Sequence, residues 1–226
     1  MSRGGRFVIS VVVGSILFLG LSLIGWGVAD IPGFMSHPAR LAYSVLVIAL
    51  QFVIAAKFPE AGRNQGKGTK LVRRQQIAVG LMQVLSLAMM IVAPLSDRHN
   101  LLAFNGADVW RYVGLVLFAP SFLAMNWVEA TLGKLFSVQV TVQAGHRLIT
   151  SGPFRYLRHP RYLSIMLMNV GIALVFRSGL GLLLAAGLIG VLLWRIHDEE
   201  ALMHQEFGTE WEAYTRKSWR LIPYVY

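Results

Sequence analysis

Apolar residues fill this chain in long blocks, and the blocks predict helices that cross a membrane. About 20 apolar residues carry a helix across the hydrocarbon of a bilayer. Four blocks approach that length, and a shorter pair follows them, separated only by Arg177-Ser178-Gly179. We expect that pair to form a tight helical hairpin. The predicted spans are 7–28, 41–56, 76–95, 109–128, 162–176 and 180–194.

The fold class predicted from these blocks is an all-α integral membrane protein with about six transmembrane helices. Arg3 and Arg6 before the first block and Gly27-Val28-Ala29 after it also fit a cleaved signal peptide, which would leave five. The apolar core of this block is longer than such a peptide needs. We therefore expect the block to be retained as a membrane anchor.

Composition supports a membrane protein. Hydrophobic residues make up 55% of the chain and charged residues 14%, whereas soluble domains carry about 25% charged residues. There is no cysteine, so disulfides, a thiol nucleophile and a thiolate metal site are excluded. The net charge of +10 does not predict nucleic-acid binding, because the basic residues lie between apolar spans, where membrane topology and anionic lipids account for them.

The distribution of the basic residues predicts the orientation. If the amino terminus is cytoplasmic and the chain crosses six times, 17 of the 21 lysines and arginines lie on the cytoplasmic side. The four exceptions are Arg40, Arg98, Arg111 and Arg177. Such a bias favours cytoplasmic termini and puts the loop before the fifth span on the same face as the carboxyl-terminal tail.

The chain becomes polar after Trp194, and this tail holds six of the eleven acidic residues. Thr209 with Glu212 three residues later fits a capping box that would start a last amphipathic helix. The acidic tail could dock on the basic loops of the same face, or it could be a solvated helix.

A basic stretch, residues 146–164, interrupts the otherwise apolar sequence. Gly152-Pro153 predicts a turn, and His159-Pro160 predicts a helix that starts at the proline, whose free N–H groups would favour an anion. Arg155, Arg158 and Arg161 crowd the same place. The alternative interpretation is a loop whose charge only sets topology.

Two further pairs of residues have spacings that suggest chemistry. Arg195 and Glu199 lie one helical turn apart at the end of the last span, where ionisable residues are costly and often functional. Glu200 and His204 have the spacing of metal ligands, but no third ligand is evident, so no metal site is predicted. No serine–histidine–aspartate set and no Gly-x-Gly-x-x-Gly motif is present.

The combination of motifs resembles the isoprenylcysteine carboxyl methyltransferases and the related phospholipid N-methyltransferases. The residues that carry the resemblance are Gly152-Pro-Phe-Arg-Tyr-Leu-Arg-His-Pro-Arg-Tyr162, then Glu199-Glu200 after residues 165–198, then Phe207-Gly208-x-x-Trp-x-x-Tyr214. The similarity covers residues 132–223. It therefore divides the chain into amino-terminal helices, 1–131, on the acceptor and lipid side, and a catalytic core, 132–226.

What the resemblance implies is a site for S-adenosyl-L-methionine that opens to the membrane on the cytoplasmic face. Glu199 and Glu200 would be catalytic, and Arg195 would be catalytic and bind the methyl acceptor. The residues expected to hold the cofactor are Gln139, His146, Arg147, Leu148, Ile149, Phe154, Arg158, His159, Pro160, Arg161, Tyr162 and Glu199. Two departures from the family pattern are Phe154, where the family has tyrosine, and Ser164, where it has glycine.

The function implied is methylation of a lipid-like acceptor that enters from the membrane, first of all the carboxylate of a prenylated cysteine. A phospholipid N-methyltransferase shares the motif and differs in the acceptor. A sterol or enone reductase that uses NADPH carries a similar Arg-His-Pro-x-Tyr run, but the Glu199-Glu200 pair and the Phe207-Gly208 tail favour methyl transfer. A membrane scaffold would not need the clustered motif.

Overall fold

The computed structural model describes residues 3–58, 73–104, 106, 108–133 and 148–225, and over these ranges its regular structure is helical apart from two isolated β-bridges. A π-helical turn, Ile16–Gly20, joins the first two helices, and 3-10 turns lie at Val28–Asp30 and Gly152–Arg155. The α-helices are α1 (Arg3–Ser15), α2 (Leu21–Trp26), α3 (Ile31–Met35), α4 (Pro38–Lys57), α5 (Arg73–His99), α6 (Val109–Leu132), α7 (Pro160–Val175) and α8 (Gly179–Thr215).

Five stretches of the described chain are long and apolar enough to cross a membrane. They are Phe7–Trp26, Pro38–Lys57, Gln75–His99, Val109–Leu132 and Gly179–Thr215. Helix α7 is apolar but has only 16 residues. The prediction of an all-α membrane protein is therefore confirmed, whereas the sixth crossing stays a prediction that rests on α7.

The last helix does not end where the predicted span ends, at residue 194. Helix α8 has 37 residues and continues through the polar tail, because no helix-breaking residue follows Trp194 until Gly208, where φ is 48° and ψ is −119°. The part of α8 before the kink at Gly208 is roughly 43 Å long, beyond the ~30 Å of hydrocarbon. Its polar half therefore projects past the apolar half, and Trp211 and Tyr214 after the break are buried again.

Helix α7 packs most closely on α6, and two glycines permit the contact. A β-carbon on Gly114 would lie 2.5 Å from the carbonyl oxygen of Gly171, and one on Gly171 would lie 2.8 Å from the carbonyl oxygen of Gly114. Small residues allow helix backbones to approach closely in a membrane, where close packing stabilises association. Helices α6 and α7 thus pack directly against each other, and the hairpin of α7 with α8 stays a prediction.

Aromatic side chains fill the centre of the bundle. Phe118 of α6 stacks on Phe122 with ring centroids 5.7 Å apart, and Tyr43 of α4 meets both Phe118 and Phe176 within 5.4 Å. A second buried apolar cluster lies beside the polar motif and joins α5, α7 and α8. It consists of Met82, Tyr162, Ile165, Met166, Leu188, Leu192, Ile196 and Leu221.

At the end of the bundle away from the polar motif, a buried carboxylate binds arginines from several elements. The side chain of Asp97 at the end of α5 is 1% exposed, and Arg111 of α6 donates to it twice, at 2.8 Å each. Arg177, between α7 and α8, donates at 3.0 Å, and Arg40 of α4 at 3.3 Å. Three of the four arginines that break the charge bias therefore bind one aspartate.

Candidate active site

The polar motif before α7 is held against the carboxyl-terminal tail by backbone hydrogen bonds. The amide nitrogen of Arg158 donates to the carbonyl of Trp219 at 2.8 Å, and that of His159 donates to the carbonyl of Arg220 at 3.1 Å. The Tyr214 hydroxyl donates to the carbonyl of Phe154 at 2.7 Å. Two segments that lie far apart in sequence therefore form one surface at the start of α7.

Glu200 lies at the centre of this surface. Its Oε1 accepts from Nε of Arg158 at 2.9 Å and lies 3.2 Å from Nε2 of His159. Its Oε2 lies 2.5 Å from Nη2 of Arg220. We call Glu200, Arg158, His159 and Arg220 the Glu200 cluster. Both carboxylate oxygens are thus paired with basic side chains, and the side chain of Glu200 is 13% exposed.

A second set of hydrogen bonds adjoins the Glu200 cluster, nearer the apolar half of α8. The hydroxyl of Tyr162 donates to Oε2 of Glu199 at 2.6 Å, and Nε of Arg195 donates to the same hydroxyl at 2.7 Å. Arg195 also donates through Nη1 to Oε1 of Gln75 at 3.2 Å, and Nε2 of Gln75 donates to Asp198 at 2.8 Å. We call these five residues the Arg195 network.

The two sets meet through aromatic stacking. The rings of His159 and Tyr162 lie 5.5 Å apart and nearly parallel, at 10°. His159, Tyr162 and Arg195 are buried, at 6%, 6% and 2% exposed. The guanidinium carbon of Arg195 lies 5.8 Å from the centre of the Tyr162 ring. The motif at the start of α7 and the acidic pair of α8 therefore form one continuous, largely dry polar region.

The other predicted cofactor residues fall into two groups. Pro160 is buried and begins α7, Phe154 lies in the 3-10 turn, and Leu148 and Ile149 are half-buried in the segment before it. Arg161 binds Glu129 of α6, with Nε 2.9 Å from Oε1. The remaining three, Gln139, His146 and Arg147, lie outside the described residues.

Four residues of this region, Arg220, Glu129, Asp198 and Gln75, were not predicted as site residues from the sequence. Arg220 and Glu129 are charged residues near the motif, and the opposite charges of the motif could have suggested them as partners. Gln75 had no such signal, because an uncharged polar residue at the start of an apolar block is ordinary. It lies in α5, 120 residues before Arg195.

An open apolar groove of about 500 Å³ runs between α6 and α7 and ends at the motif. Ser164, the departure from the family glycine, lines it, but its hydroxyl donates to the carbonyl of Pro160 at 2.9 Å and leaves the wall apolar. The lining is Val116, Leu117, Pro120, Ser121, Ala124, Trp127, Val128, Pro153, Tyr156, Leu157, Pro160, Leu163, Ser164 and Leu167. The groove joins the lipid-facing side of the bundle to the turn that precedes α7.

Glu200 and His204, the pair with the spacing of metal ligands, each have another partner in the structure. His204 lies 3.2 Å from Glu212, one of the exposed acids of the tail, rather than beside Glu200. Within the described ranges, no group of three or more histidine, aspartate or glutamate side chains is arranged to hold a metal ion.

The family model of the isoprenylcysteine carboxyl methyltransferase family matches residues 112–205. The probable protein-S-isoprenylcysteine O-methyltransferase of Oryza sativa subsp. indica is 27% identical over 184 residues, which cover 77% of this chain and 89% of that protein. The protein-S-isoprenylcysteine O-methyltransferase of Schizosaccharomyces pombe is 32% identical over 113 residues, 42% of this chain and 46% of that protein.

The fold is similar to a solved structure described as the eukaryotic intramembrane Ras methyltransferase, an isoprenylcysteine carboxyl methyltransferase. The TM-score is 0.55 at 17% identity, and the match covers 95% of this chain and 74% of the other. At that identity the likeness concerns the fold alone. The resemblance that the motif indicated is confirmed by the family model and the relatives: residues 112–205, which include the motif and the Glu199-Glu200 pair, match the isoprenylcysteine carboxyl methyltransferase family.

Proposed function

We propose that this chain is an integral membrane methyltransferase that uses S-adenosyl-L-methionine to methylate the carboxylate of a prenylated cysteine or a similar amphipathic molecule. The observation that carries the proposal is the contact between the motif and the acidic pair. Glu200 binds Arg158 and His159, and Glu199 binds Tyr162. Pro160, which follows His159, lines an apolar groove. The match of residues 112–205 to the methyltransferase family supports the reaction class.

The described polar residues match the chemistry of the cofactor. S-adenosyl-L-methionine supplies a methyl group on a sulfonium, and it carries an ammonium, a carboxylate, ribose hydroxyls and an adenine. Glu199 can accept from ammonium or hydroxyl groups. The positive end of α7, beginning at Pro160, and the nearby arginines can bind a carboxylate. These residues therefore fit the cofactor, and Glu199, His159 and Tyr162 lie at the centre of the proposed site.

The groove between α6 and α7 suits the apolar chain of the acceptor. Its lining is apolar, it opens to the lipid-facing side, and it ends at Tyr156, Leu157 and Pro160 of the motif. A prenyl chain in this groove would carry its polar end toward the buried polar region. Burial of the chain would stabilise the complex by about 0.8 kcal/mol per methylene group that leaves water, although an acceptor arriving from lipid gains less.

Arg195 is the proposed partner of the acceptor's carboxylate. Tyr162 and Gln75 hold its guanidinium from two different helices, so its orientation is fixed before an acceptor arrives. A planar guanidinium matches a carboxylate with two parallel hydrogen bonds, which a lysine ammonium cannot reproduce. In-line methyl transfer depends mostly on positioning and on exclusion of water, so a preorganised arginine is what the reaction requires.

The pairing of Glu200 favours a carboxylate acceptor over an amine. An amine must lose a proton before it can attack, and Glu200 is the residue that the sequence suggests as its base. Both oxygens of Glu200 are bound by Arg158, His159 and Arg220, which stabilise the ionised carboxylate and make it a weak base. An acceptor carboxylate is already ionised and needs no base.

The proposal is tested with purified protein in vesicles and a cofactor that carries a radioactive methyl group. N-acetyl-S-farnesylcysteine and phosphatidylethanolamine are offered as acceptors. A methyl ester releases methanol in base, whereas an N-methyl group does not. We expect base-labile label on the farnesylcysteine alone. Base-stable label on the phospholipid would replace this function by its N-methyltransferase relative.

The reductase alternative is tested by ligand stabilisation. A ligand that binds the folded state raises the unfolding temperature, by an amount that grows with the logarithm of its concentration relative to its Kd. We expect S-adenosylhomocysteine to raise the unfolding temperature of the protein in detergent and NADPH to leave it unchanged. The reverse result would exclude methyl transfer.

A further inference from the structure

Gln75 is a buried polar residue that the family motif does not include. It lies at the start of α5, outside residues 112–205, and is 2% exposed. Its amide oxygen accepts from Nη1 of Arg195 at 3.2 Å, and its amide nitrogen donates to Asp198 at 2.8 Å. We propose that Gln75 is a positioning residue for methyl transfer, which orients Arg195 toward the acceptor's carboxylate; the inference rests on the proposed function.

The neighbours of Arg195 on its own helix explain why an orienting residue is needed. Asp198 and Glu199 follow Arg195 by three and four residues, the spacings at which opposite charges attract along a helix. If these acids were its only partners, the guanidinium would lie along α8. Instead its Nε donates to the hydroxyl of Tyr162 of α7, and its Nη1 donates to the amide oxygen of Gln75 of α5. Gln75 also donates to Asp198. The guanidinium is therefore held across the space between three helices.

A glutamine is the residue type that this position requires. Its amide can accept from a cation and donate to an anion at the same time, without adding charge to a buried site. A glutamate would bind Arg195 but repel Asp198, and a lysine would bind Asp198 but repel Arg195. The contacts on both sides also fix which end of the amide faces which partner, so the orientation of Gln75 is determined.

The location of Gln75 is fixed by packing. Two helical turns further along α5, Met82 belongs to the buried cluster that contains Tyr162, Leu192 and Ile196. Ala78, between them, is fully buried. Helix α5 is thus pressed against α7 and α8 on either side of Arg195, and Gln75 projects from a rigid element.

The test compares Gln75→Leu with Gln76→Leu. Gln76 is the exposed neighbour on the same helix, so its substitution controls for a general effect on α5. We expect Gln75→Leu to lower kcat/KM for N-acetyl-S-farnesylcysteine at least tenfold and to leave S-adenosylhomocysteine affinity within about twofold, which corresponds to less than ~0.4 kcal/mol. Gln76→Leu should match the wild type in both.

Two inhibitors separate positioning from a structural role. A farnesylcysteine analogue with a carboxylate should bind Gln75→Leu more weakly by about tenfold, and the matching neutral amide should bind both proteins equally. A general distortion would weaken both analogues. Equal loss for the two, or wild-type activity in Gln75→Leu, overturns the inference.

A paired substitution tests the direction of the contacts. In Gln75→Glu with Asp198→Asn, the new carboxylate accepts from both Arg195 and the new amide. We expect this double variant to recover activity to within about threefold of the wild type, and Gln75→Glu alone to remain impaired because two acids then face each other. Failure of the double variant to exceed Gln75→Glu would contradict the bridging role.

A stability cycle distinguishes failure of this inference from failure of the proposed function. If the wild type binds S-adenosylhomocysteine but methylates neither acceptor, the proposed function is wrong, and the catalytic role of Gln75 is wrong with it. The contact itself is measured separately, by combining Gln75→Leu with Arg195→Lys and comparing unfolding temperatures. Residues in contact give non-additive effects, and additive shifts would overturn the contact whatever the activity.

Discussion

The hydroxyl of Tyr162 lies 2.6 Å from a carboxylate oxygen of Glu199, across the two helices that carry the family motif and the acidic pair. The same hydroxyl accepts from Arg195 at 2.7 Å. One phenol therefore connects a proposed cofactor residue to the proposed acceptor residue. If the two ligands bind as proposed, the distance between them is set by the Tyr162 side chain.

Arg195→Lys should separate acceptor chemistry from cofactor binding. Lysine keeps the positive charge but cannot reach Tyr162 and Gln75 in the same planar geometry. We expect kcat/KM for the prenylated acceptor to fall at least roughly a hundredfold, or ~2.7 kcal/mol. Calorimetric affinity for S-adenosylhomocysteine should stay within about twofold. Turnover that survives the substitution would remove Arg195 from the role of anchor.

Glu200→Gln should detach the tail from the motif. The substitution leaves Arg158 and Arg220 without their acidic partner in a site where the Glu200 side chain is 13% exposed. We expect a loss of about 1–3 kcal/mol in the free energy of unfolding, which is read from denaturation in detergent. Glu212→Gln is the matched control, because its pair with His204 is exposed on both sides and should contribute less than about 1 kcal/mol. Equal effects of the two would show that the Glu200 cluster does not hold the tail.

Asp97→Asn should destabilise the opposite end of the bundle. The substitution leaves Arg40, Arg111 and Arg177 around a neutral side chain in a buried site, a change that costs about 3–5 kcal/mol when one partner of a buried ion pair is removed. Asp108→Asn is the control, because that side chain is 59% exposed. Because Asp97 lies at the far end of α5 from Gln75, S-adenosylhomocysteine affinity of the folded protein should not change. An unfolding temperature equal to that of the control would contradict the prediction.

Much of the fold could be predicted from the sequence, because the length of each apolar block and the charges that flank it can be read without knowing which helices pack together. The start of α7 at Pro160 follows from the backbone preferences of the His159-Pro160 pair. The length of α8 could not be predicted in the same way. Its polar half is stabilised by contacts with the motif, such as Tyr214 to Phe154, which hydropathy does not record.

The candidate site was predictable only where a motif marked it. His159, Tyr162 and Glu199 were expected from the resemblance, and the structure brings them together. Gln75 and Glu129 come from residues 1–131, the part of the chain assigned to the acceptor and lipid side. A tertiary contact between an amide and a distant arginine produces no periodic pattern in the sequence, so only the packed structure shows it.

Gly171→Ala should weaken the contact between α6 and α7. The added methyl would lie 2.8 Å from the carbonyl oxygen of Gly114 and 2.9 Å from the amide nitrogen of Phe118, both of which are backbone atoms that cannot turn away. We expect a loss of about 1–3 kcal/mol in the free energy of unfolding. Gly190→Ala, on α8 where no atom lies within 4 Å, is the control and should be neutral or slightly stabilising. A neutral Gly171→Ala would mean that the two helices are not closely packed.

Single cysteines can test the orientation, because the chain has none of its own. The motif and the tail lie together at one end of the bundle through Arg158 and Glu200, and Arg177 reaches Asp97 at the other. Helix α7 connects these ends, and its 16 residues give roughly 24 Å, enough to cross with some local thinning of the bilayer.

We therefore expect Gly4→Cys and Lys217→Cys to be protected from an impermeant maleimide in intact cells and to react after permeabilisation. His99→Cys, at the Asp97 end, should react from outside. All three positions are exposed in the protein, so protection reports the membrane rather than burial. Opposite sidedness of Gly4 and Lys217 would show an odd number of crossings. Labelling of Lys217→Cys alone from outside would also place the motif outside, because Arg158 and the tail share one surface, and it would exclude a cytoplasmic cofactor site.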